Sequence, residues 1–211
     1  MSSIHEILAA NPVIPVVVVK SAAEGLNVGR ALTRGGITTA EVTFRTDAAA
    51  AAIAAMSDVE GLTVGAGTVV TSTQVHEAAD AGAQYIVSPG FNAAVVDEAQ
   101  RLGLPVLPAC TDGSWLMAAL EKGIDTVKFF PAEVMGGIAA LKALSGPFPS
   151  VGFVPTGGVS ADNLVEYLSV PAVKACGGTW MVKPALIEAG DWGQIAALSA
   201  EAVALARSVE R

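Results

Sequence analysis

The chain is poor in cysteine, histidine, charge and basic clusters. Its two cysteines, Cys110 and Cys176, exclude a disulfide framework. Its two histidines, His5 and His76, fall on stretches with helical character and form no pair at metal-ligand spacing. A metal-dependent mechanism is therefore disfavoured, and neither a metal nor another cofactor is expected. Charged residues make up only 15% of the chain and the net charge is −8. A nucleic-acid partner is disfavoured, because binding a phosphate backbone needs clustered Lys and Arg. The longest apolar runs, such as residues 13–19 and 48–56, fall well short of a membrane span. The start, Met1-Ser2-Ser3-Ile4-His5-Glu6, shows no basic region followed by a long apolar one, so no secretory signal is visible. The expectation is a soluble, cytoplasmic protein with no membrane partner.

Hydrophobic residues make up 52% of the chain, enough to bury a large core and to exclude disorder. Eight short β-rich runs stand at residues 14–19, 40–45, 63–67, 85–88, 105–109, 126–130, 152–155 and 173–176, at intervals of about 20 to 26 residues. Helix-length, often Ala-rich segments fill the seven gaps and follow the last run. Ser21-x-x-Glu24 and Thr71-x-x-Gln74 read as capping boxes, and Ser160 and Asp162 mark a further helix start after Gly157-Gly158. Ser3-x-x-Glu6 predicts an extra N-terminal helix closing the floor. Strand alternating with helix implies a parallel sheet with helices outside. Eight units in 211 residues favour one (β/α)8 TIM barrel spanning residues 1–211 over an open doubly wound sheet. No linker or charge run divides the chain.

A barrel carries its active site at the C-terminal ends of its strands. Strand two reads Glu41-Val42-Thr43-Phe44-Arg45. Alternation puts Val42 and Phe44 toward the helices, and Glu41, Thr43 and Arg45 inward. Buried charges are costly unless they pair or serve a ligand. Strand six reads Thr126-Val127-Lys128-Phe129-Phe130-Pro131, with Lys128 inside an apolar run. Burial disfavours a charged ammonium and so favours the nucleophilic free amine, which attacks keto groups to form Schiff bases. The bland alternative is a Glu41–Lys128 or Glu41–Arg45 pair that merely fills the interior. Lys20, ending strand one, and Lys174, early in strand eight, can both snorkel to water. Two glycine-rich turns, Pro155-Thr156-Gly157-Gly158 and Cys176-Gly177-Gly178-Thr179, are expected after strands seven and eight, where barrels often bind phosphate through backbone N–H groups. Thr179 is placed to cap a short helix around residues 180–182, and Thr68 falls on the period of Val64 and Ala66.

Taken together, Glu41-Val42-Thr43-x-Arg45-Thr46, Gly65-Ala66-Gly67-Thr68, Ser88-Pro89-Gly90, Lys128-Phe129-Phe130-Pro131-Ala132-Glu133, Pro155-Thr156-Gly157-Gly158 and Gly177-Gly178-Thr179-Trp180 resemble the class I 2-keto-3-deoxy-6-phosphogluconate and 4-hydroxy-2-oxoglutarate aldolases. The matches run in family order over nearly the whole chain. The resemblance implies a homotrimeric barrel of the Entner–Doudoroff pathway. It would cleave its phosphorylated keto acid to pyruvate and D-glyceraldehyde 3-phosphate. It implies Lys128 as the Schiff-base lysine and Glu41 as the proton shuttle. Arg45 and Thr68 would hold the pyruvyl carboxylate, and Pro89 and Phe130 would line the pocket. Thr156, Gly157, Gly158, Gly177, Gly178 and Thr179 would surround the distal, phosphate-bearing part of the substrate. One loop departs from the pattern. Such enzymes usually carry Pro-Gly and then Ser or Thr after strand five, whereas here Pro108 is followed by Ala109, Cys110, Thr111 and Asp112. That loop is assigned no site residue. The same chemistry on the galactonate epimer or on 4-hydroxy-2-oxoglutarate stays open. So do a phosphosugar isomerase or epimerase with Glu41 as base, and a barrel that binds sugar phosphates without catalysis.

Overall fold

Eight strands pair in parallel in the computed structural model, which describes residues 3–209. They are β1 (Val13–Val17), β2 (Thr39–Thr43), β3 (Thr63–Gly67), β4 (Tyr85–Ser88), β5 (Val106–Pro108), β6 (Thr126–Phe129), β7 (Gly152–Pro155) and β8 (Cys176–Gly178). Helices surround them: α1 (Ile4–Ala10), α2 (Ala22–Arg34), α3 (Ala49–Ser57), α4 (Ser72–Asp80), α5 (Ala93–Arg101), α6 (Gly113–Glu121), α7 (Gly137–Ser145), α8 (Leu164–Leu168), α9 (Pro184–Glu188) and α10 (Trp192–Arg207). Residues 1, 2, 210 and 211 of the expected 1–211 domain lie outside the described residues.

Six strands form one sheet in the order β5-β4-β3-β2-β1-β8, and β6 pairs with β7. Single parallel bridges join these two sheets at both edges. Ala109 meets Lys128 on one side; Phe153 meets Val173, and Thr156 meets Gly177, on the other. All strands therefore end on a common rim, and the loops leaving it can converge on one site.

Alternation along each strand separates two apolar layers. Val42, Val64, Ile86, Val127 and Phe153 pack outward among the helices. A smaller cluster joins Ile14, Tyr85, Val87, Leu107, Val154 and Ala175 to Ile7 and Leu8 of α1. Each fully buried large side chain of this kind contributes about 1.5–3 kcal/mol. Tyr85 is the largest of the group; its hydroxyl lies 3.0 Å from Thr39 Oγ1, which satisfies the polar end inside the apolar layer. Gly65 makes room for this ring, because a Cβ there would stand 2.2 Å from Tyr85 Cζ.

Local signals set several helix starts. Ser3 and Glu6 form the full reciprocal capping box at α1. Ser21 and Thr71 accept from the backbone N–H of Glu24 and Gln74, but the return arms go one residue further back, to the N–H of Lys20 and Val70. Ser160 and Asp162 lie in the turn ahead of α8 rather than at its cap, which is Asn163.

Four boundaries differ from the sequence expectation. Strand two stops at Thr43, so Arg45 lies in the following turn and is exposed instead of facing inward with Glu41 and Thr43. Strand eight is not 173–176 but Cys176–Gly178, because Val13, Ile14 and Pro15 of β1 pair with Cys176, Gly177 and Gly178. Gly177 and Gly178 are thus strand residues, not a turn. Residues 180–182 form a turn and not a helix; the helix begins at Pro184, whose missing N–H costs nothing at the first helical position. Strand one likewise runs Val13–Val17, leaving Lys20 outside it.

Candidate active site

Lys128 stands near the end of β6, between Val127 and Phe129, whose side chains anchor the strand in the helix layer. Its own side chain therefore points inward, toward β2. There Nζ lies 2.9 Å from Glu41 Oε1 and 3.1 Å from Oε2. The two side chains are only 5% and 4% exposed. Glu41 owes its place to Gly67 across the β2–β3 pair: a Cβ there would come within 2.3 Å of Oε1. The ring of Phe130 completes the amine's surroundings, its centroid 5.4 Å from Nζ. That distance permits a cation–π contact when the amine is charged.

The Glu41–Lys128 pair can move a proton without changing its net charge. Transfer from ammonium to carboxylate turns two buried ions into two neutral groups, which removes the desolvation cost rather than adding to it. The neutral amine so produced is a nucleophile, and the protonated carboxyl is an acid in contact with it.

Arg45, exposed beyond β2, reaches the end of β3, where Nε donates to Thr68 Oγ1 at 3.2 Å. Thr68 holds φ at 56°, a left-handed conformation unusual for a β-branched residue. The pair sits one loop from Glu41 and presents a planar cationic fork at the rim. Pro89, half-buried, directly follows β4.

At the opposite side Thr156 follows β7, and its side chain occupies the space over Gly177; a Cβ on Gly177 would lie 2.3 Å from Thr156 Oγ1. Gly157 and Gly158 both take positive φ, 94° and 85°, as a tight turn requires. Gly158 has a second constraint, since Glu133 Cγ lies 2.2 Å from where its Cβ would be. Gly178 faces the ring of Trp180, whose Cζ3 is 1.8 Å from the same notional atom. Thr179 is exposed on the rim beside it. Glycine here answers first to close side-chain neighbours. Glu133 and Trp180 stood in the motifs quoted from the sequence, but nothing local signalled that their side chains fill glycine sites.

The unassigned loop after β5 is a helix cap. Asp112 Oδ1 accepts from the N–H groups of Ser114 and Trp115 at the start of α6, and Cys110 N–H donates to Lys128 O at 2.9 Å. Burial, with Asp112 adding to it, pushes the Cys110 thiol up to about 12, so it stays protonated and inert near neutral pH. Lys20 is exposed and bonded to Glu188 at 2.6 Å, and Lys174 is exposed as well. Among the described residues no three His, Cys, Asp or Glu side chains are grouped to hold a metal ion, and no helix is long and apolar enough to cross a membrane.

The sequence pattern described as KDPG and KHG aldolase matches residues 4–198. A 2-dehydro-3-deoxy-phosphogluconate aldolase of Treponema pallidum is 48% identical over 94% of this chain and 95% of its own. The KHG/KDPG aldolase of Escherichia coli K12 is 41% identical over 96% and 95%. The crystal structure of the KDPG aldolase from Legionella pneumophila, with pyruvate captured at low pH as a covalent carbinolamine intermediate, superimposes with a TM-score of 0.91. It is 40% identical and covers 94% of this chain and 97% of its own. The chain belongs to the KDPG and KHG aldolase family.

Proposed function

We propose that the protein is a class I aldolase that reversibly cleaves 2-keto-3-deoxy-6-phosphogluconate to pyruvate and D-glyceraldehyde 3-phosphate, with Lys128 as Schiff-base lysine and Glu41 as proton shuttle. The observation that carries this reading is a buried amine with both oxygens of one buried carboxylate within 3.1 Å. Glu41 takes a proton from Lys128, the free amine attacks C2 of the keto acid as the carbonyl π pair moves to oxygen, and Glu41 relays a proton from the new C–N nitrogen to that oxygen to give a carbinolamine. The protonated Glu41 gives its proton to the departing hydroxyl, so water leaves and an iminium stands beside the restored carboxylate. That carboxylate removes the C4 hydroxyl proton. The C3–C4 pair of electrons flows into the iminium, leaving an enamine and the aldehyde. Glu41 then protonates C3, and hydrolysis frees pyruvate and Lys128. Every proton finds a partner at one carboxylate.

Arg45 and Thr68 hold the pyruvyl carboxylate, supported by their contact at the rim. A guanidinium offers a two-pronged grip that an ammonium cannot copy. Arg45→Lys is therefore expected to raise the pyruvate concentration needed for half-maximal borohydride trapping about tenfold. An unchanged requirement would remove Arg45 from the site. Phe130 and Pro89 line the pocket, and Thr156, Gly157, Gly158, Gly177, Gly178 and Thr179 surround the phosphate end.

The fold behind this site is a single closed (β/α)8 barrel whose extra N-terminal helix plugs the floor. The edge bridges and the cluster uniting Ile7 and Leu8 with strand residues support it. The homotrimer is what the family resemblance implies, and an apolar surface on α6 supports association between copies: Trp115 and Met117 are 47% and 65% exposed, and Phe91 stacks on Trp115. Met117→Glu should shift the sedimenting species from trimer to monomer; a wild-type monomer would overturn the assembly. The reading also places the enzyme in the cytoplasm, where its phosphorylated substrate would be retained. The iminium is the electron sink, so EDTA should leave cleavage intact; loss of activity restored by zinc would end the class I assignment. The direct test is pyruvate with borohydride: a single pyruvyl-derived mass on the Lys128 peptide.

A further inference from the structure

Glu133 lies outside the chemistry described above, yet its backbone and side chain together tie the loop after β6 to the Gly157–Gly158 turn and to α8. It follows β6 by four residues, on the loop that leaves Lys128. Its backbone N–H donates to Gly157 O at 3.1 Å, and its Cβ and Cγ occupy the space beside Gly158. Its Oε1 accepts a hydrogen bond from the hydroxyl of Tyr167, on α8. Tyr167 is fully buried, at 0% exposure. Burial, then Glu133, raises the Tyr167 hydroxyl well above the usual phenol range, so it remains a donor. Gly137, opening α7, leaves room for the pair: a Cβ there would stand 3.2 Å from the Tyr167 hydroxyl and 3.3 Å from Glu133 Oε1. A second clamp holds the same turn, with Asn163 Nδ2 donating to Gly158 O at 3.0 Å.

We propose that Glu133 is a positioning residue: held in place by Tyr167, it locks the Gly157–Gly158 turn to the loop that follows Lys128, and so sets the distance between the Schiff-base amine and the subsite for the substrate's phosphate. The inference rests on the reading that this turn faces the phosphate. Glu133 and Tyr167 touch no reacting atom. Their contact fixes the span that a six-carbon phosphorylated substrate must match, while a substrate that lacks the phosphate does not sense it. Glu133 itself is exposed on its outer side, so its carboxylate stays hydrated when the tyrosine hydroxyl is removed. Loss of the bond therefore leaves no orphaned buried charge, and loosening the turn need not unfold the chain.

The test uses Tyr167→Phe, Glu133→Gln and Glu133→Ala, each assayed with 2-keto-3-deoxy-6-phosphogluconate and with unphosphorylated 4-hydroxy-2-oxoglutarate. Tyr167→Phe should raise KM for the phosphorylated substrate about fivefold to tenfold, with kcat little changed. Both constants for the unphosphorylated substrate should stay near wild type. Glu133→Gln keeps an oxygen that can accept from Tyr167, so it should retain most of the wild-type KM, while Glu133→Ala should behave like Tyr167→Phe or worse. Equal changes on both substrates, or none on either, would overturn the proposal. So would Glu133→Gln matching Glu133→Ala, which would mean that charge and not the bond matters. The wild-type arm separates the underlying reading. If the wild type shows no preference for the phosphorylated substrate and inorganic phosphate fails to compete with it, the phosphate assignment falls, and the positioning role with it. If the wild type discriminates and phosphate competes, only the variants decide.

Discussion

Lys128→Met is expected to abolish cleavage and to erase the borohydride-trapped pyruvyl adduct. Among the described residues no other side chain bonded to Glu41 supplies an amine. Lys20 is held 2.6 Å from Glu188 on the outside, and Lys174 is exposed ahead of β8. Without the iminium the C3–C4 electrons have no sink, and the rate should fall to background, a loss of about 10⁶-fold or more on the scale of enzymic acceleration. The substitution also strands Glu41, which is 3% exposed. Removing one partner of a buried ion pair typically costs about 3–5 kcal/mol. The single variant should therefore be clearly less stable. Lys128→Met combined with Glu41→Gln should recover much of that stability and none of the activity. Chemical denaturation of both proteins, beside adduct mass, separates folding from chemistry. An adduct mapped to Lys20 or Lys174 in the wild type would overturn the assignment.

The pairing behind that prediction was legible in the sequence because strand parity is a local property. Val127 and Phe129 face the helices, so Lys128 does not; Val42 does, so Glu41 does not. Parity cannot say where a strand stops. Arg45 shares the parity of Glu41 but lies past the last paired residue, Thr43, and turns to the rim. Strand eight was misplaced for a related reason. An apolar Val-x-Ala-Cys run looks more like a strand than Cys-Gly-Gly does, since glycine lacks side-chain contacts there. Its register is decided by β1, and the cost of glycine is offset by Thr156 and Trp180, which fill the vacant space from elsewhere. The Glu133–Tyr167 contact spans 34 residues and two loops. No periodicity or cap announces it, so only the folded chain brings it into view.

Glu41→Gln tests whether the carboxylate moves protons or only balances Lys128. The amide has the same shape and should fit the space over Gly67 that the carboxylate fills. Its Oε1 can still accept from Lys128 Nζ, so the chain should fold, with a modest stability loss. If Glu41 were barrel filling, catalysis would survive this change. If it is the shuttle, an amide cannot replace it, because it neither accepts nor releases a proton usefully near neutral pH. General acid–base contributions run to about 10²–10⁴-fold, and a fall of that size in kcat for cleavage is expected, equivalent to about 3–5 kcal/mol of barrier. Exchange of the pyruvate methyl protons with solvent should fall alongside it, since forming the enamine needs the same base. Borohydride trapping should slow but still map to Lys128, because the nucleophile remains. The comparison requires cleavage and methyl-proton exchange on one preparation, with circular dichroism as the folding control. Near-normal rates of both would leave Glu41 a structural partner. The proton would then travel through another group, such as a water held by Thr43, which is buried on the same face of β2, or by Thr68 at the end of β3.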